Sequence, residues 1–225
     1  MKLKKKNKFS SIFDLRYLFY DFVKLTGVFP AMLYTRVKKY HYLKKKQKKL
    51  FKGPVIVICN HIDYFDVIAL LTTFWFRRIS FVCKKELFEP FFGKIFFYGV
   101  QSISVNNKDI DIKTFKQAID VLSRGHLLGI FPEGHVKTQE GLDKFKSGAV
   151  LLSYLTGVPI VSLYLQEQEK RHERRRVIIG RKFDVRNMIP NENASVEDFD
   201  KITKMIYDHE NDLKEDLEKQ LSKEY

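Results

Sequence analysis

Short apolar runs alternate with helical stretches from Gly53 onwards. The first run, Val55–Cys59 (VIVIC), is apolar at every position and follows Gly53 and Pro54, which is typical of a strand buried on both faces of a sheet. The alternation predicts an α/β fold with a mixed, mostly parallel sheet flanked by helices. Further strands are predicted at residues 79–83, 101–105, 126–131, 158–165 and 177–179, and helices at 67–76, 112–124, 148–155 and 196–221.

The net charge of +14 is concentrated at one end of the chain. Residues 1–52 contain 16 Lys and Arg against Asp14 and Asp21, whereas residues 53–225 contain 25 basic and 25 acidic side chains. With 44% hydrophobic residues the chain is too apolar to be disordered, and its two cysteines exclude a disulfide-rich scaffold. The cysteines lack metal-ligand spacing, so no metal site is expected. We expect a reducing compartment and no secretory signal.

Residues 9–37 are dense in aromatic and aliphatic side chains, and lysine clusters flank them on both sides. Charges interrupt the segment, so it lacks the run of about 20 apolar residues that a transmembrane helix needs. Gly27 and Pro30 predict a break between two helices, which gives an N-terminal two-helix hairpin. Aromatic helices between cationic clusters fit the headgroup region of an anionic membrane. A solvated charged face is the second interpretation, and a nucleic-acid interface is a distant third because no nucleic-acid motif is present.

These patterns divide the chain into three parts. Residues 1–52 are the predicted basic, aromatic-rich membrane-association segment, and residues 53–190 are the predicted α/β domain. Residues 191–225 contain 11 Asp and Glu against 5 Lys, and their apolar side chains recur with helical spacing. We therefore expect an acidic C-terminal helix whose apolar stripe covers the domain.

A histidine and an aspartate, His61 and Asp66, follow the first predicted strand. Ligand sites of α/β sheets form at the carboxyl ends of strands, and an Asp in the first turn of the next helix can orient the imidazole and stabilise its protonated form. This is the base-and-orienter half of a catalytic triad without a Ser or Cys nucleophile, which indicates that the attacking hydroxyl belongs to the substrate. Asp63 is expected to be the helix N-cap and Cys59 to be buried packing. A purely structural histidine is the alternative.

A second motif, FPEG at residues 131–134, also follows a predicted strand. Gly134 permits close approach of the backbone to an anionic ligand, and Glu133 could hold a ligand hydroxyl or a cation. A simple turn after a strand explains this tetrapeptide equally well, so it is weak on its own.

In combination the motifs resemble those of the glycerolipid acyltransferases, and most closely the bacterial 1-acylglycerol-3-phosphate acyltransferases. The resemblance covers roughly residues 50–165 in order and spacing. It rests on Asn60-His61 with Asp66, on FVCKKEL at 81–87, on FPEG at 131–134 and on GVPIV at 157–161. An N-terminal two-helix membrane motif is also known in that family.

The resemblance implies an O-acyltransferase with His61 as general base and Asp66 as its orienting partner. The acyl donor would be acyl-CoA or acyl carrier protein, no other cofactor is expected, and the product would be phosphatidic acid. Glu133 and Gly134 would place the acceptor's glycerol and phosphate. The expected partners are a lysophospholipid, the acyl donor and an anionic membrane surface, with the enzyme peripheral on the cytoplasmic face of the cell membrane and no nucleic acid bound.

The sequence departs from the family where arginines meet the acceptor's phosphate. Residues 103–107 (ISVNN) and His135-Val136 lack the arginines that the family has in its second box and after FPEG. Lys108, Lys137, Lys146 or His135 could replace the arginines as point charges, although none of them reproduces a guanidinium fork. Of these, Lys137 and Lys146 are expected to contact the acceptor, together with Asn107. Two alternatives remain open: an acyltransferase for another lysolipid or a hydroxylated lipid, and a non-catalytic lipid-binding protein with this fold.

Overall fold

The computed structural model describes residues 17–44, 50–105, 112–136, 142–168, 173–189 and 194–224. Its α-helices are α1 (Leu18–Val23), α2 (Phe29–Thr35), α3 (Asp66–Thr73), α4 (Phe91–Gly99), α5 (Ile112–Ser123), α6 (Gly148–Thr156), α7 (Val185–Met188) and α8 (Val196–Leu221). Its strands are β1 (Lys38–His41), β2 (Val55–Cys59), β3 (Ile79–Lys84), β4 (Ile103–Val105), β5 (Leu127–Ile130), β6 (Ile160–Leu165) and β7 (Arg176–Phe183).

These strands form one sheet in the order β1-β7-β6-β2-β5-β3-β4. Strand β7 is antiparallel to β6, and every other neighbouring pair is parallel, so the predicted mixed, mostly parallel sheet is confirmed. Central strand β2 has Ile58 opposite Ile130 of β5 and Cys59 opposite Leu163 of β6. The carboxyl ends of the three strands therefore lie side by side, which brings the two sequence motifs to one edge.

Helices cover both faces of the sheet, as the unbroken apolar run of β2 predicts. Ile56 and Ile58 pack in one core cluster with side chains of α5, α6 and α8. Val55, Val57 and Cys59 point to the other face, into a cluster that includes residues of α3. The alternation along five consecutive residues explains why no polar position interrupts this strand.

Helix α8 has the bounds that its apolar periodicity predicts. Ser195 and Asp198 form a reciprocal capping box at its N-terminus, which satisfies two otherwise unpaired backbone N–H groups. Its predicted apolar stripe is buried against the sheet, at Ile202, Ile206, Leu213 and Leu217.

The predicted break between two N-terminal helices is wrong for the part of this segment that the structure describes. Between α1 and α2 lies a π-helical turn, Lys24–Val28, and the backbone stays helical across both junctions. The N–H of Phe29 bonds to the carbonyl of Lys24, five residues back, and Pro30 then enters in the first turn of α2, where its missing N–H is tolerated. Residues 18–35 are therefore one continuous helical run, named here the N-terminal helical run.

Two tyrosines fix the N-terminal helical run to the α/β domain. The hydroxyl of Tyr20 donates to the carbonyl of Ile79 and accepts its N–H, both at 3.0 Å, so it caps the start of β3. The hydroxyl of Tyr17 accepts from Arg124 at 2.9 Å, and both tyrosines are buried. No helix in the described ranges is long and apolar enough to cross a membrane.

Strand β1, helix α4 and the single-turn helix α7 were not predicted from the sequence. Edge strand β1 is lysine-rich, yet it pairs in parallel with β7 and buries Tyr40. Helix α4 follows Pro90 and contains two glycines, which obscured its periodicity in the sequence. It lies between β3 and β4 and has no buried residue.

Candidate active site

His61 and Asp66 lie at the carboxyl end of β2, in the turn and at the start of α3. Nδ1 of His61 is 3.0 Å from Oδ2 of Asp66. The same oxygen accepts the backbone N–H groups of Ile62 at 2.6 Å and Asp63 at 2.8 Å. Because Nδ1 is held by the carboxylate, the other ring nitrogen, Nε2, is the atom that can exchange a proton with a ligand.

Asp66 is completely buried, and Arg175 supplies its counter-charge. The guanidinium donates to Oδ1 of Asp66 at 2.9 Å and also binds the carboxylate of Asp63. A buried carboxylate is stable only when it is paired and hydrogen-bonded, and here four donors converge on it. Arg175, which lies just before β7 and is itself buried, is therefore part of the site.

Asp63 was predicted to be the N-cap of α3, and this is wrong because the N-cap residue is Phe65. The Asp63 carboxylate accepts the N–H of Phe65 at 2.7 Å, two residues on, and pairs with Arg175. It braces the turn that carries His61 instead of capping the helix.

The imidazole of His61 stacks on the ring of Phe131, the first residue of FPEG. The ring centroids are 4.1 Å apart at an interplanar angle of 17°. Phe131 in turn stacks on Phe81 of β3, with centroids 6.1 Å apart. This stack restricts the plane of the imidazole, whereas the Asp66 contact restricts its rotation within that plane.

Glu133 is almost fully buried and contacts the backbone of His61. Its Oε1 accepts the backbone N–H of His61 at 3.3 Å, and its Oε2 has no hydrogen-bond partner among the described residues. Burial raises the pKa of Glu133 to about 7. Glu133 also lines a cavity, while its unpartnered Oε2 is itself buried from solvent.

Glu210 of α8 is a second buried carboxyl behind this wall, and the sequence analysis did not single it out. Neither of its oxygens has a hydrogen-bond partner within the described part of the chain. Burial, and secondarily the charge of Glu133, raise the pKa of Glu210 well above its ordinary value. No local pattern distinguishes this glutamate from the exposed acidic residues of the same helix.

Two cavities meet at His61. A cavity of about 910 Å³ with a largely apolar wall lies between the N-terminal helical run, α3, β3 and α4. A second, of about 420 Å³, is lined mostly by polar side chains that follow β6 or project from α8. An apolar chain and a polar group can therefore approach the imidazole from different sides.

Neither cysteine is suited to nucleophilic attack. Cys59 is buried beneath the site, and burial raises the pKa of its thiol well above the ordinary value. Cys83 lines the apolar cavity, but burial raises the pKa of its thiol to about 11. Both thiols are therefore neutral near pH 7, whereas the thiolate is the reactive form.

The remaining predicted site residues have different outcomes. Gly134 adopts φ +79°, and a Cβ there would lie 2.9 Å from Nζ of Lys146, so the lysine side chain covers the FPEG turn. Gly134 donates its own N–H to the carbonyl of Phe131 at 3.1 Å, which leaves that group unavailable to an anion. Lys137 and Asn107 lie outside the described residues.

Comparisons with known proteins agree with this arrangement. The family model described as Acyltransferase matches residues 35–166. The 1-acyl-sn-glycerol-3-phosphate acyltransferase of Bacillus subtilis (strain 168) is 29% identical over 106 residues, 47% of this chain and 52% of that protein. The protein of the same name from Escherichia coli (strain K12) is 28% identical over 111 residues, 48% and 45% of the two chains. The chain thus spans about half the length of these curated relatives.

A solved structure shares the fold over most of the chain. The crystal structure of the 1-acyl-sn-glycerophosphate (LPA) acyltransferase PlsC from Thermotoga maritima superposes with a TM-score of 0.62 at 16% identity. The match covers 92% of this chain and 85% of that chain.

Proposed function

Because the chain belongs to the acyltransferase family, we propose that it transfers a fatty acyl group from a thioester donor to the free hydroxyl of a lysophospholipid. The proposed acceptor is 1-acylglycerol-3-phosphate, by analogy with the named activity of the relatives, and the product is phosphatidic acid. The donor is acyl-CoA or acyl carrier protein.

The observation that carries this proposal is the His61–Asp66 contact at the meeting point of an apolar and a polar cavity. Acyl transfer to a lipid hydroxyl requires a base at that hydroxyl and space for an alkyl chain beside it. A buried carboxylate behind the base also stabilises the imidazolium that forms during the reaction.

The proposed reaction proceeds without an acyl-enzyme. The acceptor hydroxyl gives its proton to Nε2 of His61 as its oxygen bonds to the thioester carbonyl carbon. The C–S bond then breaks, and the departing thiolate takes the proton from the imidazolium. Asp66 holds Nδ1–H throughout, while Arg175 keeps the carboxylate in position.

Acceptor contacts are proposed for the residues around FPEG. The carboxyl group of Glu133, which lines the polar cavity, would bind a hydroxyl of the glycerol, and the ammonium of Lys146 beside Gly134 would attract the phosphate. Lys137 and Asn107 are proposed as further acceptor contacts on the basis of sequence alone.

One observation favours a second acceptor class, a lysolipid or hydroxylated lipid without a phosphate monoester. Among the described residues, the polar cavity beside His61 is lined by the carboxyl groups of Glu133, Glu167 and Glu218 and by one ammonium, that of Lys214. This charge balance suits neutral hydroxyl groups better than a dianion.

A panel of lysolipids separates the two acceptor classes. Transfer of labelled acyl groups is measured with lysophosphatidic acid, lysophosphatidylglycerol and monoacylglycerol, using either acyl donor. The main proposal predicts the highest rate with lysophosphatidic acid and a lower rate for Lys146→Gln with that acceptor. Activity confined to acceptors without a phosphate monoester, lysophosphatidylglycerol or monoacylglycerol, would contradict the phosphatidic-acid assignment.

We also propose that residues 1–52 dock the enzyme on the anionic cytoplasmic face of the cell membrane. The support is their cationic charge and the position of the N-terminal helical run along the apolar cavity. Surface lysines contribute about 1 kcal/mol each at such a membrane. Changing Lys4, Lys5 and Lys6 to Gln should therefore reduce flotation with anionic vesicles, and unchanged flotation would contradict this docking.

A further inference from the structure

Helix α4 is an apolar helix that packs on Phe88 through Phe97 and Tyr98 but leaves most of its large side chains exposed. Its sequence, FFGKIFFYG, contains one charge, and none of its residues is buried. Phe91 and Phe92 are 71% and 82% exposed. Each exposed phenyl ring forgoes about 1.5–3 kcal/mol of burial free energy, so a helix of this composition requires a non-aqueous neighbour.

The exposed face of α4 continues onto the N-terminal helical run. The ring of Phe19 packs directly on Gly99, the last residue of α4, where a Cβ atom would clash with it. Together they form one apolar surface, named here the α1–α4 surface. Its exposed large side chains are Leu18, Phe19, Phe22, Leu25, Phe29, Leu33, Phe91, Phe92, Ile95, Phe96 and Tyr98.

Charge identifies an anionic bilayer as the occupant of this surface. Residues 1–16, which lead directly into α1, contain six Lys and Arg against Asp14. Lys84 and Lys85 are exposed just before α4 beside Glu86 and Glu89, and Lys94 lies within the helix, so the larger cationic excess is that of residues 1–16. Aromatic side chains between lysines are the composition of helices that lie in a membrane interface.

The apolar cavity supports the same occupant. Val28 of the N-terminal helical run and Phe97 and Val100 at the end of α4 contribute to its walls, and the cavity reaches His61. A bilayer against the α1–α4 surface would thus contact both the N-terminal helical run and α4. A lipid chain could pass between these two elements and reach the imidazole of His61.

We propose that α4 is a second membrane-inserting element, which enters an anionic bilayer together with the N-terminal helical run. Phe91 and Phe92 form its inserting tip, since they are exposed and do not line the cavity. The insertion of α4 is argued independently of the proposed function, and only the identity of the lipid substrate rests on that function.

The test is flotation of the full-length protein with vesicles of phosphatidylglycerol and phosphatidylcholine in equal parts. The double variant Phe91→Ser, Phe92→Ser should lower the partition coefficient at least about tenfold. The matched control is Val196→Ser, which replaces an exposed apolar residue on α8 and should partition like the wild type. Circular dichroism and urea unfolding confirm that both variants are folded.

A depth measurement provides the second readout. Trp75 is the single tryptophan, so Phe92→Trp in a Trp75→Phe background gives one probe on α4. Its fluorescence should be quenched by lipids brominated on their acyl chains. Unchanged flotation of the double variant, or absence of quenching, overturns the proposal. The proposal also fails if the wild type is a dimer, the double variant is a monomer and flotation is unchanged. A second copy of the chain would then cover the α1–α4 surface.

An acyl-transfer assay separates this proposal from the proposed function. With a short-chain acceptor and donor in solution, the double variant should be as active as the wild type. If the wild type itself transfers no acyl group, the proposed function fails, and the flotation and quenching results still decide the role of α4.

Discussion

The buried carboxylate of Asp66 contacts Nδ1 of His61 at 3.0 Å and shares the same oxygen with two backbone N–H groups. Its other oxygen belongs to Arg175, a residue 109 positions away in sequence. The general base is therefore oriented by a carboxylate that is itself fixed from both sides. This arrangement makes the position of the ring depend on Arg175, which does not contact it.

Arg175→Lys tests that dependence. A lysine has one ammonium and cannot bind Asp66 and Asp63 simultaneously as the guanidinium does. Small displacements of a catalytic group are costly, so kcat for acyl transfer should fall about ten- to hundredfold with a much smaller change in KM. Arg186→Lys is the control, because Arg186 donates to the carbonyls of Tyr154 and Leu155 in α6, and its replacement should leave kcat unaltered. A wild-type kcat in Arg175→Lys would refute the positioning role.

Because the pKa of Glu133 is raised, the free energy of unfolding should depend on pH. Burial raises the pKa of Glu133 in the folded protein from 4.5 to about 7, so between these values the folded state holds a proton that the unfolded state releases. The contribution of Glu133 to the free energy of unfolding should therefore be greatest below about pH 4.5 and should fall as the pH rises to 7. The contribution is roughly 1–3 kcal/mol.

Urea unfolding of Glu133→Gln at several pH values measures this contribution. The amide keeps an oxygen for the N–H of His61 but does not ionise, so the variant should gain stability relative to the wild type as the pH rises from 5 to 8. Glu89→Gln, at an exposed position, should show the wild-type pH dependence. Part of the slope should survive in Glu133→Gln, because the pKa of Glu210 is also raised by burial. An identical pH profile in wild type and Glu133→Gln would contradict the assignment.

Tyr20→Phe tests how firmly the N-terminal helical run is attached. The change removes two buried hydrogen bonds to the backbone of Ile79 and leaves that N–H and carbonyl without their partner. We expect a loss of about 1–3 kcal/mol in the free energy of unfolding and faster amide exchange in residues 18–35. Tyr98→Phe, at an exposed position, is the control and should change neither quantity. Equal exchange in both variants would indicate that the run is held by other contacts.

The sequence predicts those parts of the fold and site whose signals are local. Strand β2 and the His61–Asp66 pair lie within twelve consecutive residues, so periodicity and spacing suffice to place them. The FPEG motif follows β5, and parallel strands bring their ends to one edge, so its proximity to His61 also follows from the pattern.

The parts that the sequence does not predict depend on distant contacts. Arg175 looks like one more basic residue, and only the return of β7 to the sheet brings it to Asp66. Glu210 lies on a helix rich in acidic residues, and its burial follows from how α8 packs. Strand β1 is rich in lysine because it is an edge strand, a place where charged residues are common. Gly27 and Pro30 are usual signs of a helix break, but Gly27 lies within a π-helical turn and Pro30 in the first turn of α2, so the helical run continues past both.

The central claim is that His61 is the base that activates the acceptor hydroxyl. Its most direct test is the initial rate of labelled acyl transfer to lysophosphatidic acid by wild type and by His61→Ala, with both proteins shown to be folded and to bind vesicles equally. Loss of a general base lowers kcat by about 10²–10⁴-fold, and this is the predicted result, with binding of the acceptor retained. Equal rates in the two proteins would contradict the proposed mechanism.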